Sequence, residues 1–547
     1  MKGNSKDVLT STLYVAIVVV SLSISVGLVN QVLAANSNTV STPQVGISVD
    51  NSCDITSTCS NIGVQAQPLG VIPLIINTIV SQNDVSNSVE IEQIGIQVNN
   101  DCDNFSDCSN IGVQAQVLPI AAIINALSNQ DDVTNSAEIE QFGLQVNHDC
   151  DFADCSNIGV QAQVLPIAAV LNVLTSQQDV TNSAEIEQVG KQINDDCNFS
   201  LCANIGTQAQ VLPIAAVVNV LSDLDNVDNS AEVEQIGVQN NDCNVSICAN
   251  VLGAQAQTGT FAVVANVLSD LSNVDNSAEV EQVGVQNNDC NVAECANIAG
   301  IQAQTGVLAA VANVLTGQED VDNSAEVEQV GLQNNDCNFA LCDNTAVAQA
   351  QTGVAAVVAN IGDSFEDVTN SAEVEQKLKQ INDCDVSICA NVVGAQAQTG
   401  VAAAVVNIDN AFEDVSNSAE VEQGTVQKNN CEDFTICANA AGAQLQTGVA
   451  AAVINTGNFF DKVSNSAEVE QDPEQTNNCE DGATCANAAG AQAQTGVTAI
   501  VVNTDNIFAE ASHEGVINGA EVEQTIEQTN ECNDGAICAN VAGAQLQ

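Results

Sequence analysis

Arginine and tryptophan are absent from the 547 residues, and the only basic side chains are seven lysines. Aromatic residues make up 2%, and methionine and tyrosine occur once each, at Met1 and Tyr14. A phosphate-binding groove needs clustered cationic contacts, which seven scattered lysines among 69 acidic residues do not supply. Nucleic acid and anionic membrane surfaces are therefore poor partners, whereas cations and cationic polymers are good ones. A net charge of −62 in a polar chain would point to disorder, but 45% apolar residues and a strict repeat argue for a packed one.

What is present begins with an apolar run. Lys2 and Lys6 precede Leu13–Val29, and Val32-Leu33-Ala34 offers small residues for cleavage. Residues 1–34 therefore read as an export signal, with an uncleaved membrane anchor as the alternative; nothing basic follows the run to stop transfer. Residues 35–43 read as a short linker and 44–547 as repeat throughout, with a secreted, extracellular or cell-surface location expected.

The repeat is marked by cysteine. Paired cysteines begin at positions 53, 102, 150, 197, 243, 290, 337, 384, 431, 479 and 532, in steps of 46 to 53 residues. Between them the phrase N-[SG]-[AV]-E-[VI]-E-Q recurs ten times, first at Asn87 and last at Asn518. A unit of this size stacked on its own copies is a solenoid or an array.

Each unit carries three segments. In the phrase itself, alternation puts Asn276, Ala278, Val280 and Gln282 on one face and Ser277, Glu279 and Glu281 on the other, a strand with one covered side. A polar Asn/Asp turn is expected after the glycine that follows. The second segment, such as Ala390–Gly400, follows the cysteines. There Ala397 corresponds to Leu445 and Leu546, which suggests that this position faces inward and its flanking glutamines outward. Three residues separate Asn110 from Gln114 in an early unit, but four separate Asn250 from Gln255, so a bulge is expected to enter partway along the stack. The third segment, such as Val354–Gly362, is apolar on both faces, and its periodicity leaves strand and short helix open. One asparagine recurs inside it, at positions that include Asn266, Asn313 and Asn360. A lone amide in an apolar helix lacks partners, whereas stacked on identical amides it forms a ladder, which favours strand.

The fold expected is all-β: a β-solenoid of about ten coils of ~47 residues with three strands per coil, and a stack ~50 Å long at roughly 4.8 Å per coil. Its structural amide ladders would include Asn229, Asn276 and Asn323, Gln235, Gln282 and Gln329, together with Asn266, Asn313 and Asn360.

Asn276, Ala278, Gln282, Gly284 and Asn287, repeated as Asn323, Ala325, Gln329, Gly331 and Asn334, resemble the curlin repeat of secreted bacterial fibre proteins. The match covers roughly a dozen residues per unit. The present units are about twice as long and carry cysteines where a curlin unit places a second alanine-containing strand. The resemblance implies a β-solenoid able to assemble as fibres outside the cell.

In an exported chain, two nearby cysteines are a local disulfide or a soft-metal site. Only two histidines, His148 and His513, accompany them, so bridges are the better reading. The spacing varies while both sulfurs persist, as expected if each pair closes on itself. The bridges expected are Cys53 with Cys59, Cys102 with Cys108, Cys150 with Cys155, Cys197 with Cys202, Cys243 with Cys248, Cys290 with Cys295, Cys337 with Cys342, Cys384 with Cys389, Cys431 with Cys437, Cys479 with Cys485 and Cys532 with Cys538. Asn104, Asn198 and Asn244 each begin an N-x-S sequon, which chance in an asparagine-rich chain explains equally well.

No catalytic residue is assigned. Glu279 and Glu281 resemble an acid/base pair, but they recur ten times on an exposed face, unlike a single tuned pocket. Stacking would set Glu279 beside Glu326 and Glu281 beside Glu328. Two such charges ~4.8 Å apart in water repel by roughly 0.9 kcal/mol. These four are the candidate divalent-cation ligands, with calcium the ion expected, against a solvated face with diffuse counterions. The function expected is structural: an exported protein that forms or joins a fibre, matrix or surface layer. Its partner would be itself, laterally through the apolar third strands and head-to-tail through coils left open near Gln44 and Gln547, with divalent cations or surface polymers as further partners. A monomeric adhesin or cation-binding surface protein is the alternative.

Overall fold

The computed structural model describes most of residues 37–547; residues 1–36 and several turns, the longest being 50–57, 68–73 and 505–516, lie outside the described residues. The proposed signal segment 1–34, Asn104, His148 and His513 fall among the latter.

The chain is all-β, and every unit is one coil of a parallel β-solenoid. In the coil of residues 223–267 the first strand is Asp223–Asn244, the second Ile247–Thr258 and the third Phe261–Val267. The third apolar segment is thus a strand. The first strand is longer than its phrase suggested, because it runs through Asn240 and Asn241 to the cysteine where a turn was expected. Inward positions there carry Gln239, Asn241 and Cys243, which continue the alternation and hold the chain extended.

First strands stack on first strands, residue for residue: Asn229 pairs with Asn276 and Asn276 with Asn323, and the same register holds from Asp223 on Asp270 to Asn244 on Asn291. Second strands stack likewise, Cys202 on Cys248 and Cys248 on Cys295. The expected bulge lies between Gly206 and Thr207, where Leu252 and Ala254 become their partners. A turn residue changes at the same point. Leu165 and Leu212 hold a left-handed φ of 53° before a proline, and Gly259 and its successors take over that position at 62–65°. Glycine carries no Cβ penalty there.

Within a coil, the second and third strands fold back over first strands, and the space between is the core. Its apolar part is columns of alanine, valine and isoleucine, such as Ala231, Val233, Ala262 and Val264, all fully buried. Flanking these are columns of buried amides. Asn229 Nδ2 donates to Asn276 Oδ1 at 2.9 Å and Asn276 to Asn323 at 2.9 Å. Gln282 Nε2 donates to Gln235 Oε1 at 2.8 Å and Gln329 to Gln282 at 2.7 Å. Asn266 joins the two walls, donating to Asn313 at 2.8 Å along the stack and to Asn276 at 3.1 Å across it; Asn313 repeats this with Asn360 and Asn323.

The inward direction in the second strand is the reverse of that expected. Gln396 and Gln398 are buried, whereas Leu445, in register with Ala397, is 41% exposed. The amides win the interior because each finds two partners there: Gln398 donates to Gln351 at 3.1 Å and to the Glu422 carbonyl at 3.1 Å. A leucine at those positions would leave that carbonyl unpaired.

The buried ladders also have a direction. The asparagine columns through Asn229, Asn241, Asn250 and Asn266 donate toward the C-terminal end. The glutamine columns through Gln235, Gln239, Gln255 and Gln257 donate toward the N-terminal end. Four amide arrays therefore oppose four others, and their axial dipoles cancel in place of adding as they do along a helix.

At the far edge, eight bridges are described, each closing a single turn: Cys197–Cys202, Cys243–Cys248, Cys290–Cys295, Cys337–Cys342, Cys384–Cys389, Cys431–Cys437, Cys479–Cys485 and Cys532–Cys538. The three remaining expected bridges each involve a side chain outside the described residues. The pairing of Cys59 with Cys53, of Cys108 with Cys102 and of Cys155 with Cys150 is not among the described bridges. The reason is that the side chains of Cys53, Cys59, Cys102, Cys108 and Cys150 lie outside the described residues. Backbone register nevertheless continues both cysteine columns into these coils. Cys59 stacks on Cys108, Cys108 on Cys155 and Cys155 on Cys202, while Cys102 stacks on Cys150 and Cys150 on Cys197. Cys155 itself is buried and disulfide-bonded.

Replacing Asn276 with leucine removes the acceptor of Asn229 and of Asn266 and the donor to Asn323. With about 1–3 kcal/mol for each buried group left unpaired, a loss of roughly 2–4 kcal/mol is expected, read as a lower urea midpoint. Ser277→Ala, on the outer face, should shift stability by less than about 0.5 kcal/mol.

Candidate functional site: the stacked carboxylate face

The outer face of the first strands is where the acidity collects. Because the inward positions are fixed by Asn, Ala, Val and Gln, the residues between them all point outward. Glu279 stacks on Glu232 and Glu326, and Glu281 on Glu234 and Glu328. The same two columns extend from Glu90 and Glu92 to Glu521 and Glu523. All four candidate ligands are half-buried, because each carboxylate is walled by its neighbours above and below and flanked by a column of Ile236, Val283 and Val330.

Crowding changes their chemistry. Burial, then the charge of neighbouring glutamates, pushes Glu185 and Glu279 up to about 7 from an ordinary 4.5, and Glu234 up to about 8. Glu90 also rises to about 7, chiefly through a hydrogen bond with Glu92. Glu281, Glu326 and Glu328 are raised as well, burial being the largest cause in each. Lys377 sits in register with Val330 and Gly424 and pairs with Glu375 and, at 3.3 Å, with Glu422. It lowers Glu326 and Glu328 in part, against the effect of burial.

Two further acidic columns on this face were not singled out from the sequence. Asp228, Asp275 and Asp322 stack on one side, and Asp289, Asp336 and Asp383 stack near the cysteine edge. Burial raises Asp228, Asp275, Asp289 and Asp383. Their signal is recurrence at fixed places in the unit, masked by the threonine and serine that replace the first column in other coils, such as Thr181, Thr369 and Ser416.

The cysteine edge offers a second cluster. The sulfurs of Cys243, Cys248 and Cys295 lie within 4.8 Å of one another, but all three are bridged, and thiolate is the metal-binding form. The amide-ladder residues Asn229, Gln235, Asn276, Gln282, Asn323, Gln329, Asn266, Asn313 and Asn360 form the interior and reach no part of the acidic face.

Comparison of this chain with protein-family models, with curated proteins and with solved structures returned no match.

The raised glutamates fix the sign of the pH response. A carboxyl raised in the folded state favours folding most below its ordinary value near 4.5, and that contribution fades as pH climbs to about 7–8. The urea midpoint should therefore fall from pH 4.5 to pH 8. Replacing Glu234, Glu279 and Glu281 together by glutamine should flatten the slope, and an unchanged slope would mean that these columns are relaxed in solution.

Proposed function

We propose that this protein is a structural component of an extracellular fibre, matrix or surface layer, and that it works by lateral association of its solenoids. The observation that carries this reading is the repetition of surface columns, the two glutamate columns above all, through the described coils. Such a surface suits a lattice of identical contacts more than a single substrate. The bridges fit an oxidising location outside the cell. The curlin-like placement of Asn276, Ala278, Gln282, Gly284 and Asn287 supports the same reading.

The contact strip is the outer side of the third strands. In the earlier coils this side is largely closed already: Leu171, Ala216, Val218, Val263 and Ala265 are buried, packed with Ile124, Ile214, Val220 and Phe261. Less apolar surface is bare in these coils than a fully exposed Ala/Val face would leave. From Ala355 onward the outer residues are alanine, valine and isoleucine and are half-buried, as at Val357, Ala404, Val406, Ala452 and Ile454. They form an uncharged strip on a chain of net charge −62, opposite the acidic face. Pairing two such strips removes apolar surface while keeping the carboxylates apart.

A second reading, a cation-binding surface protein, draws on the raised glutamates. Divalent ions held between carboxylates of adjacent coils would relieve the repulsion that screening only reduces.

Sedimentation and negative-stain microscopy of residues 35–547 test the first reading. Large assemblies are expected, and the variant Val357→Lys/Val406→Lys/Ile454→Lys should stay monomeric with unchanged β-sheet circular dichroism. A monodisperse parent protein, with or without calcium, would contradict lateral assembly and favour the second reading.

A further inference from the structure

One stretch of the described core is walled by glycine on both sides, with glutamine side chains crossing from each wall beside it: a Cβ at Gly143 would stand 2.7 Å from Gln161 Nε2, and one at Gly159 3.1 Å from Gln145 Oε1. On the first strands Gly95, Gly143, Gly190 and Gly237 stack in register. On the second strands Gly112, Gly159 and Gly206 do the same. Between the two columns lies a cavity of about 330 Å³, partly open to solvent and lined by these glycines and the glutamines beside them, with Lys191, Thr207 and several aliphatic residues also among its lining. It follows the stack for about four coils, or ~15–20 Å.

Its far end is a plug. Leu252 occupies the register position of Gly206 in the coil where the second strand gains a residue. It is buried and reaches across to the first-strand wall in two adjacent coils: a Cβ at Gly237 would stand 3.2 Å from Leu252 Cδ1, and one at Gly284 would stand 2.9 Å from Cδ2. Beyond it, Ala346, Leu378 and Val393 fill the corresponding space as one buried cluster. The insertion that produces the bulge thus also ends the cavity.

The wall has a definite polarity. Gln145 Nε2 donates to Gln97 Oε1 at 2.8 Å and to the Ile158 carbonyl at 3.0 Å. Gln192 donates to Gln145 at 2.8 Å and to the Ile205 carbonyl at 2.9 Å. From the other wall, Gln161 donates to Gln114 at 2.9 Å and to the Val189 carbonyl at 2.7 Å, and Gln208 to Gln161 at 2.9 Å and the Ile236 carbonyl at 2.7 Å. A primary amide has two N–H groups, and both are used in each of these side chains. The cavity therefore meets an occupant with glycine methylenes and amide edges that have no N–H to give. Along these amides an anion would find no donor, and a file of water would find acceptors only, short of the mixed partners that hold buried water.

We propose that this glycine-walled cavity is a binding site for a neutral, linear aliphatic chain, such as an alkyl or acyl tail, with Leu252 setting the greatest length it admits. Its volume lies at the lower end of small-ligand sites, and its shape follows the stack axis. The site is independent of the assembly reading, because it lies inside one chain.

Isothermal titration of residues 35–547 with a series of unbranched alcohols from 1-butanol to 1-dodecanol tests this. Affinity should rise about fourfold per added methylene and then level off once the cavity is filled. Leu252→Ala, which opens the space toward Gly284, should move that plateau to longer alcohols, while cyclododecanol should bind neither protein. Gly206→Leu, which sets a second plug one coil earlier, should move the plateau to shorter ones wherever circular dichroism shows it folded. No binding, or a plateau that Leu252→Ala leaves in place, would overturn the proposal; the second outcome would assign the alcohols to the outer apolar strip. An experimental structure with a continuous file of waters in the cavity at saturating alcohol would overturn it too.

Discussion

A primary amide shut away from water has to find both a donor and an acceptor, and one coil of this chain cannot supply them along its own axis. Asn276 meets its partners in Asn229 and Asn323, Gln282 in Gln235 and Gln329. The requirement is met only when the neighbouring coil places the same amide at the same height. This forces parallel strands and a fixed register, and a two-residue slip would set Asn276 against Ala325 or Val321. Stability is then a sum over neighbouring coils, with the buried polar columns enforcing the match that the apolar columns alone would leave loose.

The same register has an electrostatic consequence outside. Whatever stacks well inside must also stack outside, so glutamates are brought above glutamates for the length of the molecule. Inside, the arrays balance, since asparagine columns and glutamine columns donate in opposite directions. Outside, among the described residues, the cations set against the carboxylates are few: Lys377 pairs with Glu375 and Glu422, and Lys462 with Asp414, and the rest is left to ions from the solvent. Burial first, and this imbalance second, raises Glu185, Glu234 and Glu279. Folding has therefore taken up an acid-stabilised face as the companion of a polar interior.

Much of this is legible in the sequence, because a repeat reports one environment many times. Alternation places Asn276, Ala278, Val280 and Gln282 on the covered side, and the recurrent Asn266 and Asn313 identify the third strand through the partners a buried amide needs. The second strand misleads at Ala397 and Leu445. A hydrophobic exchange there suggests burial, although only long-range contacts with the opposite wall reveal that Gln396 and Gln398 are the inward pair. The extra residue after Asn250 is visible as a bulge, but its effect is not. Seeing that Leu252 closes a cavity requires knowing that it takes the register position of Gly206 and reaches the space in front of Gly237 on the opposite wall. The aspartate columns are hidden because threonine and serine take their place in other coils.

Hydrogen exchange of the side-chain amides, followed by NMR on ¹⁵N-labelled protein, tests the ladders most directly. The Asn276, Gln282 and Gln286 side-chain N–H groups are buried and doubly constrained, so they should exchange as slowly as the backbone amides of their own strand, while exposed Asn338 exchanges freely. Equal, fast exchange of Asn276, Gln282 and Asn338 would contradict the account, because the amides would then be bonded to water and the register would have no buried polar cause.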